Sequence, residues 1–155
     1  MKHTTWMNVA KTIAASESKC LSRQVCAIIV KDGRLQSTGH NGTPPKQPNC
    51  CDVNAHLVDT NGIFVNQEAR DKHHHWSLEN EIHAEINALL YASPEERNGA
   101  TLYTTLEPCK DCAKAIAGSG ITTVIYNEEY PRTPQAARDI LLRANIAVYK
   151  LDELE

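Results

Sequence analysis

At 155 residues, with 16 basic against 19 acidic side chains and a formal net charge of −3, the chain is one domain's worth of sequence with no cationic excess. That balance argues against a grip on nucleic-acid backbone, which asks for a basic face, and favours a small-molecule ligand. A domain of this size buries roughly two-thirds of its unfolded surface, so its core needs no staple and the six cysteines are available for other chemistry.

The opening Met-Lys-His-Thr-Thr-Trp has no apolar stretch ahead of a small-residue cleavage site, and no run of about 18 apolar residues follows anywhere. A cytoplasmic protein without membrane contact is expected. Residues 6–19 place Trp6, Val9, Ala10, Ile13 and Ala14 on one face of an amphipathic helix. Val25–Val30 is a short apolar run, and Asp32-Gly33 turns it into Leu35–Thr38, a β-hairpin. Residues 40–80 are polar, with prolines at 44, 45 and 48 and no sustained period, so they read as a long loop with a short strand at Ile63–Val65. An apolar helix is predicted over Ile82–Ala92, a strand over Thr101–Thr105 and a helix from Pro108 to about Ser119. The tail reads as strand Thr122–Tyr126, helix Pro134–Ala144 and strand Ile146–Leu151. These elements imply a single α/β domain over 1–155: a mixed sheet of about five strands with helices on both faces. The helix between the last two strands permits a crossover, so those strands should run parallel.

In a reducing compartment cysteines seldom pair, which leaves metal ligation or burial. Two segments carry the ligand pattern: His83-Ala84-Glu85 at one helix start and Pro108-Cys109-Lys110-Asp111-Cys112 at another. Cys109 and Cys112 are three apart and share a helical face, and Pro108 suits the first helical position. The helix N-terminus favours thiolates there. His83 and Glu85, two apart, face one metal only if they sit at a first turn, which puts the helix start near Ile82. One His and two Cys leave a fourth tetrahedral position open, the mark of a catalytic zinc, and Glu85 stays unligated to move protons. Taken singly, Cys-x-x-Cys also fits a redox pair or half a zinc ribbon. A ribbon needs a second Cys-x-x-Cys, which Cys50-Cys51 does not supply, and a redox pair has no use for His83 and Glu85.

His-x-Glu followed by Pro-Cys-x-x-Cys is the signature of the zinc-dependent cytidine and deoxycytidylate deaminase superfamily, which this chain therefore resembles. Segments 17–20 (Glu-Ser-Lys-Cys), 39–42 (Gly-His-Asn-Gly), 49–52 (Asn-Cys-Cys-Asp), 81–85 (Glu-Ile-His-Ala-Glu) and 111–114 (Asp-Cys-Ala-Lys) resemble its phage-type deoxycytidylate branch across nearly the whole chain. The resemblance implies a three-layer α/β/α sandwich and hydrolysis of dCMP to dUMP for thymidylate synthesis, with His83, Cys109 and Cys112 on catalytic zinc and Glu85 as proton carrier. It implies that Asn41 hydrogen-bonds the deoxyribose and Arg23 meets the 5′-phosphate, with Ser22 and Tyr126 as lesser phosphate contacts. From the residues alone, Arg23 also reads as a solvated charge and Asn41-Gly42 as turn chemistry.

The same resemblance implies a second, structural zinc on Cys20, Cys50, His73 and Glu81 that orders the 40–80 insertion. It further implies a homo-hexamer activated by dCTP and inhibited by dTTP at a site touching Gly42, magnesium accompanying the triphosphate, and the cytoplasm of a phage-infected host. Cys26 and His40 depart from the branch, which usually has glycine and tyrosine there. The competing functions are deamination of another free nucleoside, base or tRNA adenine, and a non-catalytic zinc-binding regulatory module. A tRNA substrate asks for basic surface, and a purely structural site has no use for an unligated Glu85.

Overall fold

A computed structural model describes residues 1–132 and 134–154. Helix α1 (His3–Glu17) precedes a hairpin of β1 (Cys26–Lys31) and β2 (Arg34–His40). Asp32 and Gly33 both take positive φ, 50° and 68°, the backbone that a two-residue hairpin turn of matching twist requires. After an irregular stretch come α2 (Cys50–Val53), α3 (Gln67–Asn80), α4 (Ala84–Leu90) and α5 (Pro94–Arg97). Then β3 (Thr101–Leu106), α6 (Lys110–Ala117), β4 (Thr123–Glu128), α7 (Pro134–Arg143) and β5 (Ala147–Lys150) alternate.

The sheet order is β2-β1-β3-β4-β5. β1 pairs antiparallel with β2 and β3, whereas β3, β4 and β5 run parallel, joined by the crossovers through α6 and α7. The parallel end follows from helices between those strands, because a tight turn can only reverse direction. β1 is apolar throughout because both of its faces are covered. Cys26, Ile28 and Val30 meet Trp6, Met7, Ala10 and Ala14 of α1, while Ala27 and Ile29 meet Ala84 and Ala88 of α4 and Ile116 of α6. The result is the expected α/β/α sandwich.

Residues 40–80 differ from the predicted loop. They hold α2, a 3-10 turn at Ala55–Leu57 and the 14-residue α3. Helix α3 buries only Ala69 and His73, so no apolar stripe announces it. Local polar bonds define it: Asn66 Oδ1 caps Ala69 N at 2.8 Å, Glu68 pairs with Lys72 at 3.0 Å, and Gln67 donates to Asp71 at 2.8 Å. Ile63–Val65 forms no strand. Only an isolated bridge joins Phe64 to Val58, and the Asp59 carboxylate turns the chain by accepting from the Asn61 and Ile63 N–H groups.

Candidate active site

Helix α4 starts at Ala84, two residues later than predicted, and His83 is its N-cap with extended backbone (φ −65°, ψ 150°). That extended residue solves the orientation problem posed by two-residue spacing: His83 approaches from outside the helix while Glu85 projects from its first turn. The start of α4 is held tightly against β2. A Cβ on Gly39 would lie 2.2 Å from Ala88 N and 2.5 Å from Ala84 O, so only glycine permits the contact. Ser37 Oγ donates to Ala88 O at 2.7 Å and Asn87 Nδ2 to His40 O at 2.8 Å. Gly42 and Ile82 exchange both backbone hydrogen bonds, at 3.2 and 2.8 Å, fixing the residue before His83.

Cys109, not Pro108, opens the second helix. It is the N-cap of α6, with its sulfur accepting from Cys112 N at 3.5 Å, so Pro108 lies one residue outside the helix rather than in its first position. His83 Nδ1 lies 3.5 Å from Cys109 Sγ and 3.3 Å from Cys112 Sγ. Tetrahedral zinc with bonds of 2.0–2.3 Å separates its donors by roughly 3.3–3.8 Å, so this imidazole and these two sulfurs fit the ion as they stand. The hydrogen bond from Cys112, with His83 adding to it, pulls the Cys109 thiol down to about 4, while the same Cys109 bond and burial push Cys112 up. The bond to Cys109 pushes His83 up. Glu85 is 4% exposed, and burial raises its carboxyl to about 7. Cys112 Sγ also lies 3.6 Å from Glu85 Oε2.

A cavity of about 320 Å³ opens over this cluster. Ser22, Arg23, Asn41, His83, Glu85 and Cys109 line it, and Glu107, Tyr130 and Arg132 form part of its wall. Asn41 spends its amide largely on the protein: Oδ1 accepts from Val25 N at 2.9 Å and Ser18 Oγ at 2.6 Å, and Nδ2 donates to Arg23 O at 2.8 Å. It thereby shapes the 22–25 segment that presents Arg23. Neither Asn41 nor Gly42 takes a positive φ, so the left-handed turn conceivable from Asn-Gly does not form. Tyr126 does not line the cavity; its hydroxyl accepts from Arg138 Nη2 at 3.2 Å. Cys26 is fully buried, which pushes its thiol up to about 12, and Cys51 is only half-buried.

The four remaining candidate ligands also meet. Donor atoms of Cys20, Cys50, His73 and Glu81 all lie within 4.8 Å of one another. Cys20 Sγ is 3.7 Å from His73 Nε2 and 3.5 Å from Glu81 Oε1. Glu81 Oε2 is buried with no partner, an arrangement that costs free energy unless a cation completes it. A hydrogen bond from Cys20 lowers the Cys50 thiol to about 6, and the bond to Cys50 together with burial pushes Cys20 up. Two thiols, an imidazole and a carboxylate form a closed donor set suited to zinc.

Sequence reasoning missed Glu107, Tyr130, Arg132 and Arg138. Glu107 is 2% exposed, bonded to Arg138 and to Tyr130 N at 3.0 Å. Its place just before Pro108-Cys109 was the one available signal, and its partner 31 residues on could not be named without the fold.

Residues 1–128 match the family model described as the cytidine and deoxycytidylate deaminase zinc-binding region. The chain is 40% identical to the deoxycytidylate deaminase of Enterobacteria phage T4, over 97% of this chain and 90% of that one. It is also 40% identical to the deoxycytidylate deaminase of Enterobacteria phage T2, over 99% and 94% respectively. Among solved structures it is similar to the dCMP deaminase of cyanophage S-TIM5 in complex with dCMP and dUMP. The TM-score is 0.69 at 29% identity, covering 97% of this chain and 98% of that one.

Proposed function

The chain belongs to the cytidine and deoxycytidylate deaminase family, and we infer that its reaction is the hydrolysis of dCMP to dUMP and ammonia. One observation carries this choice of substrate: a single cavity holds a buried carboxyl raised to about 7 beside a His-Cys-Cys cluster and also the guanidinium of Arg23, which has no hydrogen bond or ion pair among the described residues. A free nucleoside leaves that guanidinium without a purpose, whereas a nucleoside monophosphate brings the dianion that pairs with it.

His83, Cys109 and Cys112 would hold the zinc, whose Lewis acidity would make hydroxide available near neutral pH. Glu85 does the proton work. A carboxyl raised to about 7 is poised to take a proton as water attacks C4, to pass it to ring N3, and to carry the next one to the departing amino group. Water and dCMP then balance dUMP and ammonia. Asn41 holds the substrate-facing segment and meets the deoxyribose, while Arg23, with Ser22, engages the 5′-phosphate. Tyr126, turned to Arg138, supports this wall from behind.

The second cluster is best read as structural zinc, since four protein donors and the orphaned Glu81 oxygen leave no position for chemistry. It would order the 40–80 insertion of what we read as one domain spanning 1–155. Regulation by dCTP and dTTP, with magnesium on the triphosphate, a contact at Gly42, a homo-hexameric assembly and a cytoplasmic setting complete the proposal. Among the described residues no helix is long and apolar enough to cross a membrane.

The test is ammonia release from dCMP, dCTP, deoxycytidine and cytidine, with and without dCTP or dTTP as effector, measured beside zinc per chain. Selective release from dCMP at two zinc per chain is expected. Release from cytidine as readily as from dCMP would overturn the phosphate reading, and one zinc per chain would overturn the structural one.

A further inference from the structure

The two donor clusters open onto one cavity: Cys20, His73 and Glu81 line it together with His83, Glu85 and Arg23. They are also joined by short stretches of chain. Glu81 is followed by Ile82, whose backbone exchanges both hydrogen bonds with Gly42, and then by His83. Cys20 lies two residues after Ser18 and three before Arg23.

Residues 18–25 belong to no helix or strand, so their path is set by individual bonds. Ser18 is the fixed end. It is the C-cap of α1, its N–H donates to Ala14 O at 3.2 Å, and it is only 2% exposed. Its hydroxyl donates to Asn41 Oδ1 at 2.6 Å, and the same oxygen lies 3.5 Å from the Cys20 N–H nitrogen that donates to it. Gln24 Nε2 donates to Ser18 O at 3.0 Å. Leu21 N donates to Cys50 Sγ at 3.5 Å, while Asn41 holds the far end through Arg23 O and Val25 N. The segment that presents Ser22 and Arg23 therefore hangs between Asn41 and a donor of the second cluster, with Ser18 bonded toward each.

Such a segment is only as rigid as its anchors. Glu81 Oε2 is buried without a partner, and the Cys20 sulfur stands 3.5 Å from the other oxygen of that carboxylate. Without a cation these crowded polar groups gain by moving apart. A cation among the four donors would remove that pressure and fix Cys20 and Cys50, the residues at which the start of the segment is held. The 21–25 path would then be ordered before a nucleotide arrives, and binding would no longer bear that cost.

We propose that Ser18 is a positioning residue for the substrate site, and that through Ser18 and Cys50 a zinc at the four-donor cluster strengthens nucleotide binding at the catalytic one. The proposal rests on the dCMP and structural-zinc readings. It gives the second cluster a part in substrate affinity in addition to the order of the 40–80 insertion.

The test uses the zinc-loaded full chain and the product nucleotide dUMP, which binds without turnover. Calorimetry should show dUMP binding weakened by about tenfold in Cys50→Ala, at one zinc per chain, and by about fivefold in Ser18→Ala, at two. In Ser18→Ala the KM for dCMP should rise by a similar factor with kcat nearly unchanged. The double variant should bind dUMP almost as well as Cys50→Ala, because both changes release the same segment. Unchanged dUMP affinity in Ser18→Ala, or a loss confined to kcat, would overturn the positioning role. Unchanged affinity in Cys50→Ala, or effects that multiply fully in the double variant, would overturn the link between the clusters. If Cys50→Ala fails to fold, Cys50→Ser keeps the size of the side chain, weakens the donor and carries the same expectations. Wild-type protein that binds dUMP no better than deoxyuridine would overturn the substrate reading, and one zinc per wild-type chain the structural-zinc reading. Both outcomes are seen before any variant is made.

Discussion

The two donor clusters of this molecule are built in opposite ways. His83 and Cys109 are N-caps of α4 and α6, helices whose Ala84, Ala88, Ala113 and Ile116 are packed into the main core. Their donor spacing is set by hydrophobic packing against the sheet. Cys20, Cys50, His73 and Glu81 come instead from the α1–β1 connection, the short α2, the middle of α3 and its C-cap. That region buries few apolar side chains, so a cation joining the four donors would supply order that the core does not. One site is placed by the core; the other, on the structural-zinc proposal, would do the placing.

The largest expected effect sharpens the division of labour within the first cluster. Glu85→Gln keeps the shape of the buried side chain and removes its proton traffic, so kcat should fall by about a thousandfold or more while zinc per chain stays constant by atomic absorption. Parallel loss of zinc would instead make Glu85 part of the metal's support.

Gly39→Ala probes the core that places the first site. Its Cβ has no room beside the α4 backbone, so thermal melts should show a loss of about 3 kcal/mol, with catalytic-site zinc weakened because α4 carries His83. A neutral substitution would mean that α4 can shift without cost, which breaks the contrast with α3.

A third prediction concerns chelator-treated protein. The Glu85 carboxyl is raised to about 7 by burial, above its unfolded value, so the folded state holds a proton that the unfolded chain gives up. Stability should therefore fall as pH rises from about 4.5 through 7, and the penalty is complete above 7. Glu85→Gln should remove it, raising stability above pH 7 by at most about 3 kcal/mol, measured by urea denaturation. The residue that costs most activity when changed would then be one that costs stability when kept, as expected of a site strained for function.

The second cluster gives a local signature. Cys50→Ala should lower zinc per chain and remove amide-exchange protection from α2 and α3 by about 2 kcal/mol, leaving β1 and β3 protected as before. Equal loss across the sheet would show that the insertion is part of the core. Smallest of all, Asn66→Ala removes the cap on α3 and should cost about 1 kcal/mol in the same exchange measurement.

The sequence by itself determined the features whose causes are local. The β1–β2 turn was legible because Asp-Gly takes positive φ readily. The parallel end of the sheet was legible because a helix must separate parallel neighbours, and the His83, Glu85, Cys109 and Cys112 group because short spacings at helix starts limit where side chains point. The conflict between His83 and Glu85 pointed to a helix start but misplaced it: the expected start near Ile82 is two residues early, and the extended N-cap at His83 became visible only in the fold. Tertiary structure alone decided what depends on distant partners. Helix α3 was invisible to periodicity because it buries two side chains only, and Ile63–Val65, apolar enough for a strand, has no strand to pair with. The sheet drew Glu107 to Arg138 and turned Tyr126 away from the cavity. It also brought Arg132 to the wall of the cavity that Arg23 lines, from more than a hundred residues further along the chain. Local rules act through neighbouring atoms; an ion pair or a cavity wall exists only once packing has brought remote segments together.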